Sequence, residues 1–110
     1  MISIGVDNFQ KEVLEESSPV LVLCMRRDSE FQEQIEVISS TCNSYGENLK
    51  ICIIEEECIE TFKENFGVEG TPTFLIFTGG LEKGRMLGQA EKRTLEDFLS
   101  RTLPIDQGVK

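Results

Sequence analysis

Apolar residues along this chain fall into short runs and spaced stripes, and each pattern predicts an element. Behind Asp7 and Gln10, which read as a capping box, Phe9, Val13 and Leu14 share one helical face. A first helix is therefore expected from Asn8 to about Glu16, ended by Ser17-Ser18-Pro19. Val20 to Cys24 is continuously apolar, as in a parallel strand covered on both faces. Phe31, Ile35, Ile38, Cys42 and Tyr45 then alternate four- and three-residue steps, predicting a long amphipathic helix. Leu49 to Ile54 reads as a second buried strand, and after Glu55-Glu56-Glu57 a short helix carries Ile59, Phe62 and Phe66 up to Gly67. Thr73 to Thr78 and Arg85 to Gln89 flank Gly79-Gly80 as a hairpin. A last helix from about Glu91 to Leu103 places Leu95, Phe98, Leu99 and Thr102 on one side, and Pro104 stops it. Strands alternating with helices, followed by a hairpin and a helix, predict an α/β fold: a mixed sheet of four to five strands with helices on both faces.

At 110 residues, without repeats or an internal linker, the chain is expected to form a single domain over 1–110, with a core at about 7–103 and a loose tail at 104–110. Its apolar runs are far shorter than the ~20 residues of a bilayer span, and its first residues lack the basic start and apolar middle of a secretory signal. The expectation is a cytoplasmic protein with no membrane association. A net charge of −9 repels phosphate backbones, so nucleic acid is not expected as a partner. The charge reads first as solubility and second as an acidic docking surface.

Cys24, Cys42, Cys52 and Cys58 form neither a C-x-x-C nor a metal-ligand spacing, and the chain has no His. Neither a metal nor another cofactor is expected. Cys24, Cys42 and Cys52 sit in apolar surroundings and read as core residues. Cys58, at the start of the short helix, is the least enclosed.

The stretch Gly67-Val68-Glu69-Gly70-Thr71-Pro72-Thr73, its apolar strand, Gly79-Gly80 and then Gly88 resemble the C-terminal half of thioredoxin. The resemblance extends over residues 7 to 103 and implies the thioredoxin-like fold. It sets Pro72 at the family's cis-proline, which shapes the substrate groove, whereas propensity alone would make Pro72 an ordinary trans turn residue. The resemblance also lays Asp28-Ser29-Glu30-Phe31-Gln32 on the family's Trp-Cys-Gly-Pro-Cys. Dithiol exchange needs an attacking thiolate and a resolving thiol, and Ser29 and Gln32 supply neither. The family's buried Asp and its neighbouring Lys fall on Leu23 and Ile53.

Ser29-x-x-Gln32 has a structural reading of its own, as a capping box contributing ~1 kcal/mol, beside a direct role for Ser29 in binding. Phe31 reads equally as an exposed anchor and as the first core residue of its helix. The resemblance implies a redox-inactive domain that binds a protein or extended peptide client, as chaperone and assembly-factor relatives do. Its groove would comprise Asp28, Ser29, Glu30, Phe31, Thr71, Pro72 and Gly88. The competing expectation is a thiol-disulfide oxidoreductase using Cys58 or Cys24. The acidic neighbours of Cys58 disfavour its thiolate, and Cys24 would serve only with its sulfur outward. Oligomeric state and client identity do not follow from these patterns.

Overall fold

Val20–Cys24 (β2) is wholly buried along its length, as a strand with apolar residues on both faces must be. It lies at the centre of a five-stranded sheet of order β1-β3-β2-β4-β5, formed with Ile2–Ile4 (β1), Lys50–Ile54 (β3), Thr73–Thr78 (β4) and Leu81–Leu87 (β5). β1, β3 and β2 run parallel, while β4 and β5 are antiparallel. The computed structural model describes residues 1–103, so the expectations for Pro104 and the 104–110 tail lie outside the described residues.

Alternation along the strands divides the interior in two. Leu21, Leu23, Phe74 and Ile76 face Phe31–Cys42 (α1) and Lys92–Thr102 (α3), where Ile38, Leu95, Phe98 and Leu99 close the layer. Val20, Val22, Cys24, Leu75 and Phe77 face the opposite way, against Val13 and against Ile59 and Phe62 of Ile59–Phe66 (α2). Each residue of β2, and Thr73 to Phe77 of β4, is thus buried on one face or the other, the arrangement that stabilises an α/β sheet, while β5 at the edge is largely exposed.

Local structure departs from expectation in four places. The N-terminal residues add a strand, since Ile2–Ile4 pairs with Cys52–Ile54. The first helix shrinks to a single π-helical turn, Gln10–Leu14, without the Asp7–Gln10 capping box. Asn8 Oδ1 instead accepts the Gly5 amide at 2.8 Å and Asn8 Nδ2 donates to Ser3 O, so the polar side chain ties the turn back to β1. The long helix ends at Cys42 and continues as a tighter 3₁₀ stretch, Asn43–Asn48, broken at Gly46 (φ +55°). Tyr45 keeps its place against the core. The hairpin is also tighter than expected: Gly79 and Gly80 both have positive φ, as a two-residue type I′ turn requires, so β5 begins at Leu81. A side chain at Gly80 would also meet Leu14 O at 3.0 Å. Pairing shifts between Ile76–Gly84 and Phe77–Glu82, leaving Lys83 as the extra residue of a bulge on this edge strand. The short helix ends as expected, with Gly67 left-handed (φ +63°) and its amide bonded to Lys63 O.

Candidate functional site

The β2–β4 ladder ends with Cys24 opposite Thr73, so the segment leaving β2 and the segment entering β4 emerge at the same end of the sheet. The first is Met25 to Glu30; the second is Gly70 to Pro72. A third wall comes from the end of β5, where the Gly88 amide donates to Pro72 O at 2.8 Å. The Thr71–Pro72 peptide bond is cis, and the Thr73 hydroxyl donates to Gly70 O at 2.6 Å. The fold thus brings the 28–31 turn, Thr71, Pro72 and Gly88 to one end of the molecule. Asp28, Ser29 and Glu30 are exposed there, and Phe31, Thr71, Pro72 and Gly88 are half-buried.

The helix start is capped differently from the Ser29–Gln32 box. Asp28 holds it: Oδ1 accepts the Glu30 amide at 3.0 Å, its carbonyl accepts the Phe31 amide at 3.2 Å, and α1 begins at Phe31 without a side-chain cap. The helix starts one residue later than the box requires, leaving the exposed Ser29 and Gln32 side chains without a protein hydrogen bond among the described residues. Phe31 joins both of its readings, with one side against the α1–α3 core and the Arg27 guanidinium 4.6 Å from its ring centroid.

Four residues fix the rim. The Arg27 amide donates to Glu56 Oε2 at 3.0 Å and its guanidinium to Met25 O at 2.8 Å, while Arg26 pairs with Glu60. Gln34 is buried and bonds both sides of one peptide residue: Nε2 donates to Ala90 O at 2.9 Å and Oε1 accepts the Ala90 amide at 3.0 Å. Gln89 donates to Glu30, closing the rim across the same gap. Sequence reasoning passed over Gln34, although a polar residue midway between Phe31 and Ile38 on the apolar stripe was the signal for it.

The thiols are placed unfavourably for chemistry at this end. Cys24 is fully buried beneath the rim, and burial pushes its thiol up to about 11; Cys42 and Cys52 are raised to about 11 for the same reason. A thiolate nucleophile needs the opposite shift. Cys58 is half-buried and lines a different hollow, beside Ile4, Phe9 and Phe62.

A parallel β1-β3-β2 set extended by an antiparallel hairpin, with the proline-bearing turn facing a helix start, defines a protein of the thioredoxin-like class. The family model described as thioredoxin matches residues 1–101, and the chain belongs to the thioredoxin family. A similar relative is Thioredoxin 1 of Synechococcus elongatus, 26% identical over 96 residues that cover 86% of this chain and 90% of that protein. The match reaches back to residue 1 and so includes β1, outside the 7–103 core expected from the patterns. No helix among the described residues is long and apolar enough to cross a membrane.

Proposed function

We propose that this chain is a redox-inactive member of its family that binds a protein or an extended peptide in the groove between Asp28–Phe31, Thr71–Pro72 and Gly88. The observation that carries the reading is the pairing of a groove with no thiol at its surface: Ser29 and Gln32 stand at the helix start and Cys24 is fully buried. Peptide backbone recognition along such a rim proceeds by strand-like pairing and needs no sulfur. Three carboxylates near the rim, Asp28, Glu30 and Glu33, bias it away from acidic clients. The client is a protein, and neither cofactor nor metal takes part. A cytoplasmic location fits four reduced thiols, since disulfides are rare in that compartment.

Two measurements test this. Insulin reduction coupled to thioredoxin reductase should give no turnover above background. Turnover above background would overturn the reading, in favour of Cys24 or Cys58 if the Cys24→Ser, Cys58→Ser double variant abolishes it. Peptides selected from a display library on the native protein should lose about tenfold or more in affinity on Ser29→Arg or Gln89→Arg, both exposed positions. Selected peptides that bind both variants as tightly as the parent would move recognition elsewhere on the molecule.

A further inference from the structure

On the sheet face away from α1 and α3, the hollow beside β1 differs from the groove in kind. It measures about 170 Å³ and lies between the loop after β1 and helix α2. Its floor is aromatic: Phe9 stands 5.8 Å from Phe62 and 5.2 Å from Phe66, and the latter two rings are 4.7 Å apart. Val6, 76% exposed, forms one lip, and the exposed Thr61 and Asn65, one helical turn apart, form the other. Such an opening accepts an apolar side chain.

Charge in the segments that bound the hollow is one-sided. Residues 55–69 carry Glu55, Glu56, Glu57, Glu60, Glu64 and Glu69 against the single base Lys63, and Asp7 follows Val6 on the other lip. Glu56 and Glu60 are engaged by the Arg27 amide and the Arg26 side chain. Asp7, Glu55, Glu57 and Glu64 have no ion pair among the described residues. The Glu55 carboxylate lies against Gly5, where a Cβ would meet its Oε1 at 2.8 Å, so a charge sits directly at the mouth. A second copy of this acidic chain, an anionic lipid surface and a nucleic acid would all meet like charge here.

We infer that this hollow is a second docking site, independent of the groove, for a basic segment of a partner protein that seats one apolar side chain over Phe9, Phe62 and Phe66. The apolar anchor supplies contact area, and Lys or Arg residues flanking it pair with the free carboxylates. Cys58 provides a built-in reporter, since its half-buried thiol lines the hollow while the other three cysteines are buried.

The test uses the full chain and a capped peptide of sequence Lys-Arg-Leu-Phe-Lys-Lys. Controls replace its Leu-Phe by Ser-Ser, its bases by Glu, or its bases by Ser. The parent peptide should slow alkylation of Cys58 and move the amide resonances of Gly5, Val6, Thr61 and Asn65. Each control should bind about tenfold more weakly, and raising salt should weaken the parent peptide. Thr61→Lys with Glu64→Gln, both at exposed helix positions, should cost about tenfold without changing the fold. Resonance changes confined to Gly88–Ala90 would overturn the inference in favour of the groove. Equal binding by the base-to-Ser control would make the hollow a site for uncharged apolar ligands, and no binding by any peptide at millimolar concentration would dismiss it.

Discussion

Two segments emerge at the same end of the sheet, and they are held by different forces. The Asp28–Gln32 turn is exposed except at Phe31 and tied mainly by polar bonds: Asp28 to the Glu30 amide, Glu30 to Gln89, and the adjoining Arg27 amide to Glu56. The Gly67–Phe77 segment is held by burial, with Phe74, Leu75 and Ile76 fully enclosed and Gly67 supplying a left-handed helix end. The second segment is constrained by packing and backbone geometry, whereas the first is mostly exposed. The residues between a strand and a helix can change freely so long as the turn closes, and here Asp28 closes it.

The contrast can be broken most severely in the buried segment. Phe74→Ala removes a fully enclosed ring and should cost roughly 3–5 kcal/mol, read from urea unfolding. A loss below about 1 kcal/mol would mean that the core collapses around the gap and that burial does not hold this segment.

The thiols should make the fold sensitive to alkali. Cys24, Cys42 and Cys52 titrate at about 11 when folded, against an ordinary value of 9. Because the folded value is the higher one, the unfolded chain releases these protons first. Full stability is therefore present below pH 9 and declines as pH rises towards 11, by on the order of 2 kcal/mol for each thiol. Stability measured from pH 8 to 11 should fall less steeply in Cys52→Ala than in the parent, relative to each protein's own value at pH 8. Identical slopes would place the Cys52 thiol in contact with water.

Gln34→Leu tests the joint between the two regimes, since it leaves the buried Ala90 amide and carbonyl without their partner. The expected cost is about 1–3 kcal/mol, with faster hydrogen exchange at Gln89 and Ala90. Unchanged exchange there would show that Gly88–Ala90 is fixed by β5 alone.

The smallest effect belongs to the turn. Ser29→Ala should change stability by less than about 0.5 kcal/mol, because the hydroxyl is exposed and caps nothing. A loss near 1 kcal/mol would restore the capping box.

Legibility in the sequence follows the range of the interaction. Val20–Cys24, Thr73–Thr78 and α3 were readable because burial on one or both faces writes itself as an apolar run or a helical stripe. β1 was not, since Ile2–Ile4 is too short to show a period and its pairing partner, Cys52–Ile54, lies far along the chain. The two capping boxes failed for a related reason. Polar residues at cap spacing state which bonds are possible, whereas the path of the backbone into the helix selects one, and in both turns a neighbouring side chain, Asn8 or Asp28, makes the local bond instead.

By itself the sequence determined the α/β class, the order of the main elements, the burial of three thiols and the absence of a C-x-x-C spacing among the four cysteines, all of which depend on residue type and local period. Only the tertiary structure decided which residues meet. It brought Asp28–Phe31 to the same end of the sheet as Thr71–Pro72 and Gly88, set Gln34 on Ala90, and opened an aromatic hollow between the loop after β1 and α2. Those neighbours come from strand register and helix packing between distant segments, and no local pattern specifies which distant partner an apolar face will find.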